Sequence, residues 1–200
     1  MARCPSGERI DRGRSPGADP EPRATLFATI THLAGGTVEQ RFIEEADQYL
    51  GEYLRKIEHC TSLLTEAQVW WKPNEACNSV GNLLLHLRGN LSQWVLGGIG
   101  GEPIARHRSA EFAASETAAK SEMLAGLADA VARARHTFRD MRSADLARDI
   151  SVQGYDTDGL RVVFHVVEHM AYHTGQIVAV TKQLLGPAAN IEFYPQHRGE

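Results

Sequence analysis

From Glu39 onward, apolar residues return every three or four positions in four long stretches, each followed by glycine or proline, and that rhythm suits amphipathic helices packed side by side. The first stretch, about 39–64, carries Phe42, Ala46, Tyr49, Leu50, Tyr53, Leu54, Ile57 and Leu64, which line one face of a helix. Pro73 interrupts the chain next, and Asn78 or Ser79 is suited to cap a second helix over about 80–96. Gly97-Gly98-Ile99-Gly100-Gly101 and then Pro103 should end that helix abruptly. A loop through Arg106-His107-Arg108 leads to a third helix, about 115–141, with Met123, Leu124, Leu127, Val131 and Phe138 as its apolar stripe. The fourth runs over about 160–185 and stops at Gly186-Pro187. Strand character is confined to 149–152, so the expected fold class is all-α, a four-helix bundle.

Two hundred residues suffice for one domain with its own core. A net charge of −4 supplies no basic field for a phosphate backbone, which argues against nucleic acid as a partner and for a small-molecule substrate. No apolar run approaches the roughly 20 residues that cross a bilayer, so no membrane partner is expected. Cys4, Cys60 and Cys77 are odd in number and lack a CxxC spacing, which points to a reducing, cytoplasmic setting; Cys60 and Cys77 are expected as inert buried thiols. Residues 1–37, with Pro5, Pro16, Pro20, Pro22 and five arginines, show no apolar period and read as a disordered leader or an N-terminal extension before a domain over 38–200. The apolar stretch 25–34 raises a targeting peptide as an alternative, but Thr29, Thr31 and His32 interrupt it.

Nine histidines are many for this length. His165, His169 and His173 stand four apart on the fourth helix and therefore share a face, and His86 lies among leucines on the second. A single buried histidine is commonly a hydrogen-bonded core residue. Three within two turns are harder to place that way, because every imidazole brings two nitrogens that need partners. Neutral imidazoles from facing helices are instead good ligands for zinc, nickel or iron, and three of them leave coordination positions open. Which helix-four pair binds stays open at this level. His165-Val-Val-Glu168-His169 fits HxxEH, the inverted zinc-peptidase pattern, although the short remaining chain offers few carboxylates for a third ligand. His169 and His173 form the alternative pair.

Three segments decide between these frames: Asn78-Ser-Val-Gly-Asn-Leu-Leu-Leu-His-Leu-Arg-Gly-Asn-Leu91, Arg106-His-Arg-Ser-Ala-Glu-Phe112 and His169-Met-Ala-Tyr-His-Thr-Gly-Gln-Ile177. With them the chain resembles the DinB/YfiT-like superfamily, grouped as metal-dependent enzymes, and especially its uncharacterised DinB-like branch, over about residues 38–185. The resemblance implies an up-down-down-up bundle with metal ligands at His86, His169 and His173, His165 becoming a neighbour one turn away. Relatives in that superfamily include thiol-dependent S-transferases and isomerases that use bacillithiol, mycothiol or glutathione. A low-molecular-weight thiol is accordingly the expected co-substrate, and a thiol S-transferase or a hydrolase the expected activity, with Glu168 and His165 as candidate acid–base groups. Arg106 and Arg108, with Arg88 and Glu111 near them, are the candidates for holding a carboxylate-bearing thiol. The competing readings are a non-catalytic metal-binding or stress-response protein and the HxxEH peptidase. A homodimer through an exposed helical face is a further expectation.

Overall fold

In a computed structural model of the chain, residues 36–116 and 118–194 are described. All but the last two residues of the expected leader, and Cys4, lie outside them. Helix α1 (Val38–Leu63) is followed by short α2 (Glu66–Trp70), α3 (Val80–Leu91), short α4 (Arg108–Ala113), α5 (Lys120–Asp140), the antiparallel hairpin β1 (Asp149–Val152) and β2 (Tyr155–Asp158), and α6 (Gly159–Leu185). α1 packs on α5 and α6, and α3 packs on the same two, so the four long helices close a bundle.

Each helix buries the face that its spacing marks out. Ile43, Ala46, Leu50, Ile57 and Cys60 of α1 meet Met123, Leu127, Val131 and Phe138 of α5 and Val162, Val166, Met170 and Ile177 of α6 in one core. Side chains of this kind, fully removed from water, each contribute about 1.5–3 kcal/mol. Phe42 is only partly buried and Tyr49 lies 44% exposed, because the inner face of α1 is centred on Ile43 and Leu50. Asp47 receives two hydrogen bonds from Arg135, at 2.8 and 3.1 Å, and so joins α1 to α5.

Several local expectations need correction. α3 does not run regularly to Leu96 and stop. It passes at Ser92 into a π-helical segment that continues through the glycines to Ile99. The hairpin packs against this segment, with Ile150 and Val152 lying beside Gly98. The loop after it folds into α4, and α5 therefore starts at Lys120 rather than near 115. Cys60 is buried as expected, but Cys77 is half-exposed, since it lies in the turn-rich connection before Ser79 and not on a helix face. Burial pushes the Cys60 thiol up, which keeps it unreactive. Trp70 packs beneath Gly81 and Trp94 is buried, whereas Trp71 is 39% exposed.

Candidate metal centre

The phase of α3 is set at its first turn. Ser79 accepts from the backbone N–H of Asn82 at 3.1 Å while Asn82 Oδ1 accepts from the N–H of Ser79, a reciprocal cap that satisfies otherwise orphaned donors. Helical period then turns His86 inward, where it is only 4% exposed. Asp158 caps α6 by accepting from Arg161 N–H at 2.8 Å. Along α6, Val166, Met170 and Ile177 occupy the core, and His165, His169 and His173 follow the border of that buried face toward α3.

There the two helices bring three imidazoles together. One ligand atom from each of His86, His169 and His173 lies within 4.8 Å of the others. His86 Nε2 and His169 Nε2 are 3.1 Å apart. Two nitrogens bound tetrahedrally at 2.0–2.1 Å to one ion would be about 3.3 Å apart, so this approach is close to what a shared metal requires. The Nδ1 atoms of His86 and His173 are engaged elsewhere, with Glu111 at 2.9 Å and Gln176 at 2.7 Å, which leaves Nε2 of each for the common point. His169 Nδ1 is buried without a hydrogen-bond partner. A donor set of three nitrogens, buried or half-buried and clustered with no carboxylate among them, fits a borderline divalent ion such as zinc, nickel or iron.

The electrostatics keep these rings ready to bind. Burial, followed by repulsion from His173, His86 and His165, lowers the pKa of His169 to about 3. Burial also lowers His173, against the opposing effect of its bond to Gln176. Both are therefore neutral near pH 7, the form that ligates a metal. Glu111 is different: burial works to raise its pKa, but hydrogen bonds from Arg106 and His86 outweigh that and hold it below the usual carboxylate range.

The remaining candidates fall around the triad. His165 is outside the close cluster; its Nε2 is 3.3 Å from Asn90 Nδ2 and its ring packs 4.3 Å from Trp94. Burial lowers its pKa too. Glu168 is exposed, and its charge works against the lowering of the His165 and His173 pKa values. Arg106 is occupied within the protein, donating from Nε and Nη2 to Glu111 at 2.7 and 2.9 Å and from Nη1 to Gln93 at 3.0 Å. Arg108 is exposed, its guanidinium 5.0 Å from the Phe112 ring, which in turn lies 4.6 Å from His86. Sequence reasoning missed Asn82, Gln176 and the closeness of Glu111 to His86. Gln176 had a signal, since it stands three residues after His173 and so one turn along the same face.

Residues 37–191 match the model of DUF1572, a family described as a protein of unknown function, and the chain belongs to that family. The fold agrees. A conserved protein from Enterococcus faecalis superposes with a TM-score of 0.60 at 16% identity, covering 72% of this chain and 96% of the other. A DinB-like protein from Bacillus cereus gives 0.57 at 13% identity, covering 70% and 91%. The DinB-like protein YjoA from Bacillus subtilis gives 0.54 at 14% identity, with the same coverage. No curated protein is significantly similar in sequence.

Proposed function

We propose that this protein is a metal-dependent enzyme that holds a divalent ion on His86, His169 and His173 and acts on a small molecule, by thiol S-transfer or by hydrolysis. The observation that carries the reading is the convergence of three imidazoles from α3 and α6 within 4.8 Å. Three protein ligands leave room for a reacting group, as in catalytic rather than structural sites. When bound, the ion would act as a Lewis acid toward a thiol or water set against it. The protein's own part is to keep His169 and His173 neutral, to exclude water with Phe112 and Trp94, and to hold His165 beside the triad as an acid–base group, with Asn90 Nδ2 donating to its Nε2. Arg108 is free to meet the carboxylate of a thiol co-substrate, whereas Arg106 is already committed to Glu111.

A second reading, a non-catalytic metal-binding protein, draws support from the carboxylates nearest the triad: Glu111 is tied up with Arg106 and His86, and Glu168 is exposed. The HxxEH peptidase fares worse, since the close set contains His173 and omits His165. Elemental analysis of untagged protein, with His173→Ala and His165→Ala beside the native chain, separates these ideas. Metal in the native protein and in His165→Ala, with loss in His173→Ala, is the expected pattern; loss in His165→Ala alone would revive the peptidase. A screen of thiols against electrophiles then tests turnover, and tight metal binding without thiol consumption would favour the non-catalytic reading.

A further inference from the structure

His86 has two potential hydrogen-bond partners at the same ring nitrogen. Glu111 Oε2 is 2.9 Å from Nδ1 and Arg106 Nη2 is 3.2 Å from it. These make opposite demands. A carboxylate only accepts, so it requires a proton on Nδ1; a guanidinium only donates, so it requires a lone pair there. Neutral imidazole has one N–H, and whichever partner prevails at Nδ1 decides what Nε2 presents to His169.

The surroundings favour the carboxylate. Glu111 is held on both oxygens by Arg106, through Nε at 2.7 Å and Nη2 at 2.9 Å, and its helix is anchored by Asn82 Nδ2, which donates to the carbonyls of Glu111 and Ala114 at 3.0 and 2.8 Å. Gly89 makes the approach possible: a Cβ at that position would overlap Glu111 Oε1 and lie 2.7 Å from Arg106 Nε. This pair is nearly sealed from water, with side-chain exposures of 5% for Arg106 and 12% for Glu111.

We propose that Glu111 is a positioning residue that selects the Nδ1–H tautomer of His86 against Arg106, so that the Nε2 lone pair faces His169 and His173. The inference deepens the metal-centre reading and rests on it for its binding arm. Removing the carboxylate does more than delete a contact. Arg106 Nη2 then becomes the remaining partner of Nδ1, the proton moves to Nε2, and the atom meant for the ion is blocked. Loss of an outer partner of a ligating histidine typically weakens metal binding about 10–100-fold, and a reversed tautomer places Glu111→Ala at the upper end of that range.

The test uses full-length protein carrying ¹⁵N-labelled histidine at pH 8, with Zn²⁺ affinity measured separately by chelator competition. Native His86, metal-free, should show the Nδ1–H pattern, and Glu111→Ala the Nε2–H pattern with zinc bound about 100-fold more weakly. Glu111→Asp, which keeps the charge, should recover the native pattern in part. Gly89→Ala, whose methyl group collides with Glu111 and Arg106 together, should weaken the Nδ1–H preference without enforcing the Nε2–H pattern, whereas Gly126→Ala, which crowds Arg88, should change neither readout. An Nδ1–H pattern retained in both Glu111→Ala and Gly89→Ala overturns the proposal, whatever happens to stability. Should the native protein bind no zinc, the metal reading fails while the nitrogen spectra still decide the tautomer.

Discussion

His169 shows how placement alone changes the chemistry of a residue. Its ring is half-buried among three other histidines, so the charged form loses hydration and is repelled by His173, His86, His165 and Arg106, with the pKa falling to about 3. The consequence for metal-free protein has a definite sign. Above pH 6.5 the ring is neutral in both folded and unfolded chains and contributes no pH dependence. Between 6.5 and about 3 the unfolded chain takes a proton that the folded one refuses, so stability falls as pH falls, by at most about 1.4 kcal/mol per pH unit for this one group. Urea unfolding in chelator at pH 7, 6 and 5 should show that decline, and His169→Leu should make it shallower, the rest coming from His173 and His165, whose pKa values burial also lowers. Equal stability at pH 7 and pH 5 would mean that the site accepts the proton without cost. At this scale the sequence was informative where spacing fixes direction: i, i+4 along one helix brings His169 and His173 together, and leucine neighbours mark His86 as inward. It was silent on Arg106, whose charge suggested a ligand-binding role but whose guanidinium is spent on Glu111 and Gln93, because that pairing depends on a loop conformation no periodicity encodes.

Among the elements, α4 is the one whose position is most fragile and most consequential. It has six residues, buries none of them fully and has no side-chain N-cap, so little of its stability is its own. What fixes it is Asn82, fully buried, which caps α3 with one end of its amide and holds carbonyls of α4 with the other. Asn82→Ala leaves the Ser79 cap but removes its reciprocal half and leaves the part-buried carbonyls of Glu111 and Ala114 without their donor, so we expect about 1–3 kcal/mol of lost stability in denaturant melts. Zinc affinity should drop as well, because Glu111 rides on α4; an unchanged affinity would show that the triad assembles without it. None of this was visible beforehand. Asparagine at the third helical position is an uncommon partner in a capping box, and a segment as short as α4 offers too few turns for a periodic signal. The long helices were legible to within a few residues for the converse reason, many turns repeating one pattern. The π-helical segment was not, since the glycines that usually end a helix are here carried within it, through Gly97 and Gly98 to Ile99.

At the level of the whole molecule, a metal would tie together parts of the chain that are far apart in sequence, since His86 and His169 are 83 residues apart. An unfolded chain cannot keep three imidazoles at one point, so an ion bound to the triad stabilises only the folded state, by about 2.7 kcal/mol at a free concentration 100 times Kd. For a chain of this size that corresponds to a rise in Tm of about 5–11 °C. The core supplies the internal comparison. Phe138 is fully buried in α5, and Phe138→Ala should cost about 3–5 kcal/mol through lost burial and the cavity it leaves. Calorimetry with zinc and with chelator then separates two kinds of loss. Phe138→Ala should lower Tm under both conditions and keep the zinc-dependent rise, because the triad is intact once the protein is folded. His173→Ala should erase the rise and change the chelator melt much less. If His173→Ala kept the full increment, zinc would be acting elsewhere on the molecule, and the bundle would be no more than the scaffold around an unrelated group of histidines.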